Sequence, residues 1–189
     1  QQLSRLISRE EIFKLVASML QETLDVKDLL ISLYDSDVES FSFPVCIAKG
    51  REQQLPSRLC GEGYQEKLLK SHAPLVLNKD PQLFLGDQEF DHPLKRPTAM
   101  LAVPLMIGER GLGVITLLSD DPQKVFDHVQ VELVSTVATQ TATSLENASL
   151  FENIRSALAT IEVRERFQSN VTKAVATLSE KGSTTLPQI

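Results

Sequence analysis

Tryptophan is missing altogether and tyrosine occurs only twice in 189 residues, so the flat aromatic platforms on which bases or sugars stack are not on offer. Cysteine is nearly as scarce. The two present, Cys46 and Cys60, form no disulfide framework and fit a reducing compartment, which makes a cytoplasmic location the expectation. No apolar run reaches the length of a membrane span, and no secretory series follows Gln1. The basic residues are scattered through a chain of net charge -6, leaving no Lys/Arg stripe to neutralise phosphates. Neither nucleic acid nor membrane contact is expected. Hydrolase signatures are absent, since the sequence holds no Gly-x-Ser-x-Gly and no His-Glu-x-x-His. His72, His92 and His128 stand far apart and lack ligand spacing to either cysteine, so neither a metal nor a cofactor is expected. They read as surface or loop histidines, with His92 set apart by its place in a long loop.

What is present is the pattern of a packed core. Residues 98–107 and 112–118 are rich in Val, Ile and Leu, and Gly108-Glu109-Arg110-Gly111 supplies the glycines of a tight reversal, which predicts a hairpin. Pro104 lacks a ladder donor and belongs at an edge, a bulge or a strand end. A helix should follow, because Val129, Leu133, Val137, Ala138, Thr141, Leu145 and Ala148 recur at spacings of three and four. Upstream, Ser8-Arg9-Glu10-Glu11 has the form of a capping box, and Ile12, Leu15, Val16, Met19 and Leu20 form the stripe of the helix it opens. Residues 29–34 and 41–48 read as strands about the turn Asp35-Ser36-Asp37. Residues 64–72 read as a short helix and 74–78 as a short strand. The loop 79–97 is broken by Pro81, Gly86, Pro93 and Pro97 and carries Phe84 and Phe90, the composition of a lid.

The helical pattern does not stop at Asn147. Phe151, Ile154, Leu158, Ile161, Phe167, Val171, Ala174 and Leu178 continue it, with a phase break between Ile161 and Phe167. A helix from 129 to 181 would be about 80 Å long, against a radius of gyration of roughly 16 Å for a compact chain of this size, so it is expected to project. Its apolar seam needs a partner. A parallel homodimer is the expectation, paired through Ile12, Val16 and Met19 near one end and Leu145, Ala148, Ile154, Leu158 and Ile161 near the other.

The strand ending in AVPL, the Gly-Leu-Gly-Val-Ile turn and strand, Phe126, and the helix containing ATQTATSLENASLFE together resemble the second half of a GAF domain. Gly61 and Gly63 stand where that family commonly opens a helix with Gly-x-Gly. The resemblance implies an α/β (α+β) fold, GAF/PAS-like, with a central antiparallel sheet, helices on both faces and a long C-terminal signalling helix. It places a GAF domain at 8–152, a linker or the end of a preceding helix at 1–7, a projecting signalling helix at 153–182 and the start of a following module at 183–189. It also implies a bacterial-type regulatory sensor that binds a small molecule, dimerises and signals to a downstream output domain, without catalysis of its own. Two alternatives stay open: a GAF-type reductase of free methionine sulfoxide, and a purely structural dimerisation domain.

Departures from the family narrow the ligand. Ser119-Asp120-Asp121 stands where cyclic-nucleotide-binding members resemble one another in Asn-Lys, and Gln130 and Val131 stand for their Asp-Glu. No cysteine lies between Gly61 and Asp120 for a bilin. Alternation puts Thr98, Met100 and Ala102 on one sheet face and Ala99, Leu101 and Val103 on the other, and leaves open which face lines a pocket. The residues expected to bind ligand are Phe84, Phe90, His92, Thr98, Met100 and Thr116, and none is expected to be catalytic.

Overall fold

The computed structural model describes residues 8–79, 81, 84, 91–94 and 96–182, with side chains as far as residue 173 except 162 and 169. The elements are α1 (Arg9–Leu24), β1 (Asp28–Asp35), β2 (Ser40–Ala48), β3 (Arg51–Glu52), β4 (Arg58–Leu59), α2 (Tyr64–Ser71), β5 (Leu75–Leu77), β6 (Ala99–Ile107), β7 (Arg110–Ser119) and α3 (His128–Gly182). The chain divides into two compact units between Ala148 and Ser149. No helix among the described residues is long and apolar enough to cross a membrane.

α1 begins where the capping box places it. The Glu11 N–H donates to Ser8 Oγ at 3.2 Å and the Ser8 N–H donates to Glu11 Oε2 at 2.9 Å, satisfying two donors that the first turn leaves orphaned. At the other end Asp25 turns left-handed (φ 49°), and Lys124 Nζ donates to the Leu24 carbonyl. Phe13, Val16, Ala17, Leu20 and Leu24 are buried, whereas Leu15 and Met19 are exposed. The expected stripe is thus split: Phe13 and Ala17 turn the buried arc toward themselves and leave Leu15 and Met19 at its outer margin.

The hairpins β1/β2 and β6/β7 join through antiparallel pairing of β1 with β7, in the order β3-β2-β1-β7-β6-β5 with β4 beside β2. Gly113 sits at this junction, where an added Cβ would stand 2.0 Å from the Ser32 carbonyl oxygen. Only glycine fits there. β5 pairs with Met100 to Ala102, so Pro104 lies beyond its reach and its missing N–H removes no bond from that ladder.

The pleat separates two cores. Leu29, Ile31, Ala99, Leu101, Val103, Ile115 and Leu117 pack with the buried side of α1 and with Val134, Val137, Ala138, Ala142 and Leu145 of α3. Met100, Ala102, Val114 and Leu118 pack on the other face with Tyr64 and Leu68 of α2. Asp127 opens α3 by a reciprocal cap, accepting from the Gln130 N–H at 2.8 Å while its own N–H donates to Gln130 Oε1 at 3.3 Å. Val129 and Leu133, expected on the inner side, are exposed, and Val134 is buried in their place. Apolar residues occur on several sides of these first turns, so more than one set satisfies the three-and-four spacing. Leu145 and Val16, assigned from sequence to a dimer seam, belong to the domain core.

In the unit that starts at Ser149, Phe151, Ile154, Leu158 and Ile161 follow steps of three and four, and each is more than half exposed. Residues 183–189 lie outside the described part.

Candidate functional site

The α2 face of the sheet holds the polar centre of the domain. Gly63 is the N-cap of α2 and offers no side chain, so the helix opens on backbone alone and the next residues turn inward. Tyr64 goes beneath the helix, where its hydroxyl shares a hydrogen bond of 3.1 Å with Thr116 Oγ1 of β7. Burial comes first among the causes that hold its phenol well above the ordinary range, against the lowering pull of the Thr116 bond.

Gln65 and Glu66 meet Arg58 of β4. The guanidinium Nε donates to Asp91 Oδ1 and Oδ2 at 3.0 and 2.9 Å, Nη1 to Glu66 Oε1 at 2.6 Å, and Nη2 to Gln65 Oε1 at 3.2 Å and Glu66 Oε2 at 3.3 Å. Nη1 also donates to the Leu59 carbonyl at 3.0 Å, so all three nitrogens of the fork are engaged. Gln65 Nε2 donates to Asp91 Oδ2 at 2.7 Å, and Glu66 Oε1 accepts the Gly61 N–H at 2.8 Å. One cation therefore serves two carboxylates in a largely buried place. Desolvation pushes the Glu66 carboxyl up, but the Arg58 bond and backbone N–H donors outweigh it and hold the group below its ordinary value. Arg58 stacks over Phe41, with Cζ 4.9 Å from the ring centre.

The second glycine of the Gly-x-Gly pair has a physical purpose here. A Cβ at Gly63 would lie 2.7 Å from Glu66 Oε2 and 3.3 Å from both Arg58 Nη2 and Gln65 Oε1. Its absence is the room the cluster occupies.

Beside the cluster is a cavity of about 360 Å³, lined by Tyr34, Glu39, Phe41, Cys60, Gly61, Glu66, Leu69, Lys70 and Gly111. Phe41, Gly61 and Glu66 are common to both. The Tyr34 and Phe41 rings lie 5.4 Å apart at 39° and form part of an apolar wall.

Of the residues expected to bind ligand, those described are distributed around this face rather than around that cavity. Met100 and Thr116 are fully buried, Met100 in the core with Tyr64 and Thr116 bonded to it. His92 is sealed: Nδ1 accepts the Leu94 N–H at 3.0 Å, which assigns the proton to Nε2, and Nε2 donates to the Ile47 carbonyl at 2.8 Å. The surface or loop reading of this histidine gives way to a buried ring tying its segment to β2. Thr98 Oγ1 donates to the Ser119 and Asp121 carbonyls at 3.1 and 2.7 Å and closes the open end of β6/β7. Phe84 is half exposed with Lys67 Nζ 6.0 Å from its ring centre, and Phe90 lies outside the described residues.

Neither thiol has an activating setting. Burial first, then the Asp28 carboxylate, pushes Cys46 up to about 11. Cys60 is also raised, by burial and by Glu66, against the lowering effect of Arg58. Among the described residues no group of three His, Cys, Asp or Glu is placed to hold a metal ion.

The sequence matches the GAF domain family over residues 8–145. The chain belongs to that family. No curated protein sequence matches this GAF chain. Solved structures share its fold, including residues 122 to 287 of a methyl-accepting chemotaxis protein at 16% identity and a TM-score of 0.64, covering 78% of this chain and 96% of that fragment. The GAF domain of Acinetobacter phosphoenolpyruvate-protein phosphotransferase aligns at 16% identity and 0.61, covering 78% and 87%. The blue-light-absorbing form of the Thermosynechococcus elongatus PixJ GAF domain aligns at 19% and 0.62, covering 83% and 96%.

Proposed function

We propose that this GAF chain is a non-catalytic regulatory sensor of a cytoplasmic, bacterial-type signalling protein, acting as a parallel homodimer. A small molecule taken up on the α2 side of the sheet is the signal, and residues 153–182 carry it to a downstream output domain. The observation that carries the reading is the exposed run Phe151, Ile154, Leu158 and Ile161. Steps of three and four are those of a two-stranded seam, and a second copy buries such a stripe against itself. Met100 and Thr116 form the floor of the uptake face, with Phe84 and His92 around it and Thr98 as the strand-end tie, and Phe90 is kept as a further proposed contact. The raised thiols of Cys46 and Cys60 support a domain without redox chemistry. Similar folds in a methyl-accepting chemotaxis protein and in the blue-light-absorbing form of a PixJ GAF domain support a sensor.

A second reading, a dimerisation domain with no ligand, draws on the Tyr64 to Thr116 bond that seals the floor. Native mass spectrometry of the purified chain separates the two by the mass of a retained small molecule.

Sedimentation tests the dimer. The wild-type chain is expected to be dimeric at micromolar concentration, and Leu158→Glu with Ile161→Glu should shift it to monomer with the sheet intact. A Leu158→Cys variant lacking Cys46 and Cys60 should cross-link to itself readily under oxidation. A monomeric wild type overturns the dimer, and failure of that cross-link in a dimer overturns the parallel arrangement.

A further inference from the structure

The Arg58 cluster has one carboxylate more than its charge requires. Glu66 already faces the guanidinium through two oxygens and is braced by the Gly61 N–H, while Asp91 takes the remaining edge. The contacts of Asp91 are those of a bound carboxylate: both oxygens on Nε at 3.0 and 2.9 Å, and one on the Gln65 amide at 2.7 Å. Gln65 is itself 1% exposed and is held in place by the Arg58 Nη2 bond to its carbonyl, so these donors are fixed without help from Asp91.

We propose that the Arg58 Nε and Gln65 Nε2 donors form a carboxylate-binding site, filled by Asp91 in this structure, and that a small monocarboxylate with an apolar body is the ligand that displaces it. The inference rests on the sensor reading and names the chemical class of its signal.

Four features support that class. Exchanging Asp91 for a ligand carboxylate leaves the charge at Arg58 unchanged, so no new charge is buried. Phe41 lies under the guanidinium and also lines the cavity, so the cavity's apolar wall of Phe41, Tyr34 and Leu69 begins next to Arg58, and an apolar body attached to a carboxylate at Nε reaches it by passing the Phe41 ring. The cavity, about 360 Å³, is at the lower end of the ~300–1,000 Å³ found for small-ligand pockets. Glu39 and Lys70 of opposite sign share its wall and the third charged group there, Glu66, is already paired with Arg58, so a second net charge on the ligand is not rewarded.

Binding would expel Asp91, the neighbour of His92, whose ring is fastened to the Ile47 carbonyl of β2. Occupancy is thereby linked to the hold that this segment has on the sheet.

The test uses the full chain with acetate and phenylacetate as probes, followed by nuclear magnetic resonance titration. Asp91→Ala removes the internal competitor and should bind both probes, with phenylacetate about tenfold tighter than in wild type, the gain expected when a site is freed from an occupant that fills it most of the time. Gln65→Leu, made in the Asp91→Ala background, should lose that gain, and phenethylamine should bind neither form. Folded Asp91→Ala protein that ignores both carboxylates at millimolar concentration overturns the site, and so does equal affinity in wild type and variant. If Asp91→Ala is unfolded, Asp91→Asn supplies the same comparison, with phenylacetate expected to bind more tightly than in wild type. A failed titration beside an intact Leu158 cross-link rejects the carboxylate site and leaves the sensor reading in place, whereas loss of the dimer rejects the sensor arrangement.

Discussion

The side-chain amide of Asn78 pairs with the backbone of Phe126 in both directions, Nδ2 donating to the carbonyl at 3.0 Å and Oδ1 accepting the N–H at 2.8 Å. It joins the end of β5 to the approach to α3 and holds the buried Phe126 ring in the core beneath α3. Asn78→Ala leaves both backbone groups unpaired and should cost about 1–3 kcal/mol. Asn78→Asp keeps the acceptor and loses the donor, so its loss should be intermediate. Urea unfolding of the three proteins checks the order.

Two glycines should differ in what they tolerate. At Gly113 the obstacle is a backbone oxygen 2.0 Å away in a neighbouring strand, and at Gly63 it is the far end of the Glu66 side chain at 2.7 Å. Gly113→Ala should therefore lose roughly 3 kcal/mol or more, and Gly63→Ala roughly 1–3. Thermal melts with equal losses, or the reverse order, would contradict this.

Acid should loosen the Arg58 cluster. The Glu66 carboxyl titrates lower in the folded chain than in the unfolded one, so its stabilisation is complete above the ordinary carboxylate value and is lost as pH falls through the folded one. Glu66→Gln should remove part of the acid limb of a stability profile and leave its neutral and basic parts parallel to wild type. An unchanged acid limb would count against the cluster as a source of stability.

Cys46→Ser with Cys60→Ser should leave output signalling unchanged, since both thiols are pushed up rather than activated. Reduction of free methionine sulfoxide that disappears in this double variant would reverse the conclusion.

Local features were the legible ones. The Ser8 box and the Gly108 turn write their geometry within a few residues, and both elements start and turn where the sequence places them. Helix phase was harder, because Val129, Val131, Leu133 and Val134 offer several apolar arcs and only contact with the sheet chooses among them. The Arg58 cluster lay out of reach for a different reason. Its members are separated by up to 33 positions and follow no period, and the one local trace is Gly61-Glu62-Gly63 standing just ahead of Glu66. Alternation did group Met100 with Thr98, but it could not foresee that Tyr64 would come down on Thr116.

That Tyr64 contact makes the molecule its own optical probe. With no indole to mask them, the ultraviolet absorption of two phenols can be followed directly. Tyr34 lines the open cavity, and its phenol is raised by burial and by Cys60, Glu39 and Asp35. Tyr64 is sealed beneath α2 and raised much further, so the stability it contributes is intact below the ordinary phenol value and is lost as pH rises toward the folded one. An alkaline spectrophotometric titration should therefore resolve two steps: a reversible one from the cavity, and a later one that appears only as α2 parts from the sheet. The first reads occupancy of the cavity without a label, and the second reads the integrity of the helix that covers the floor.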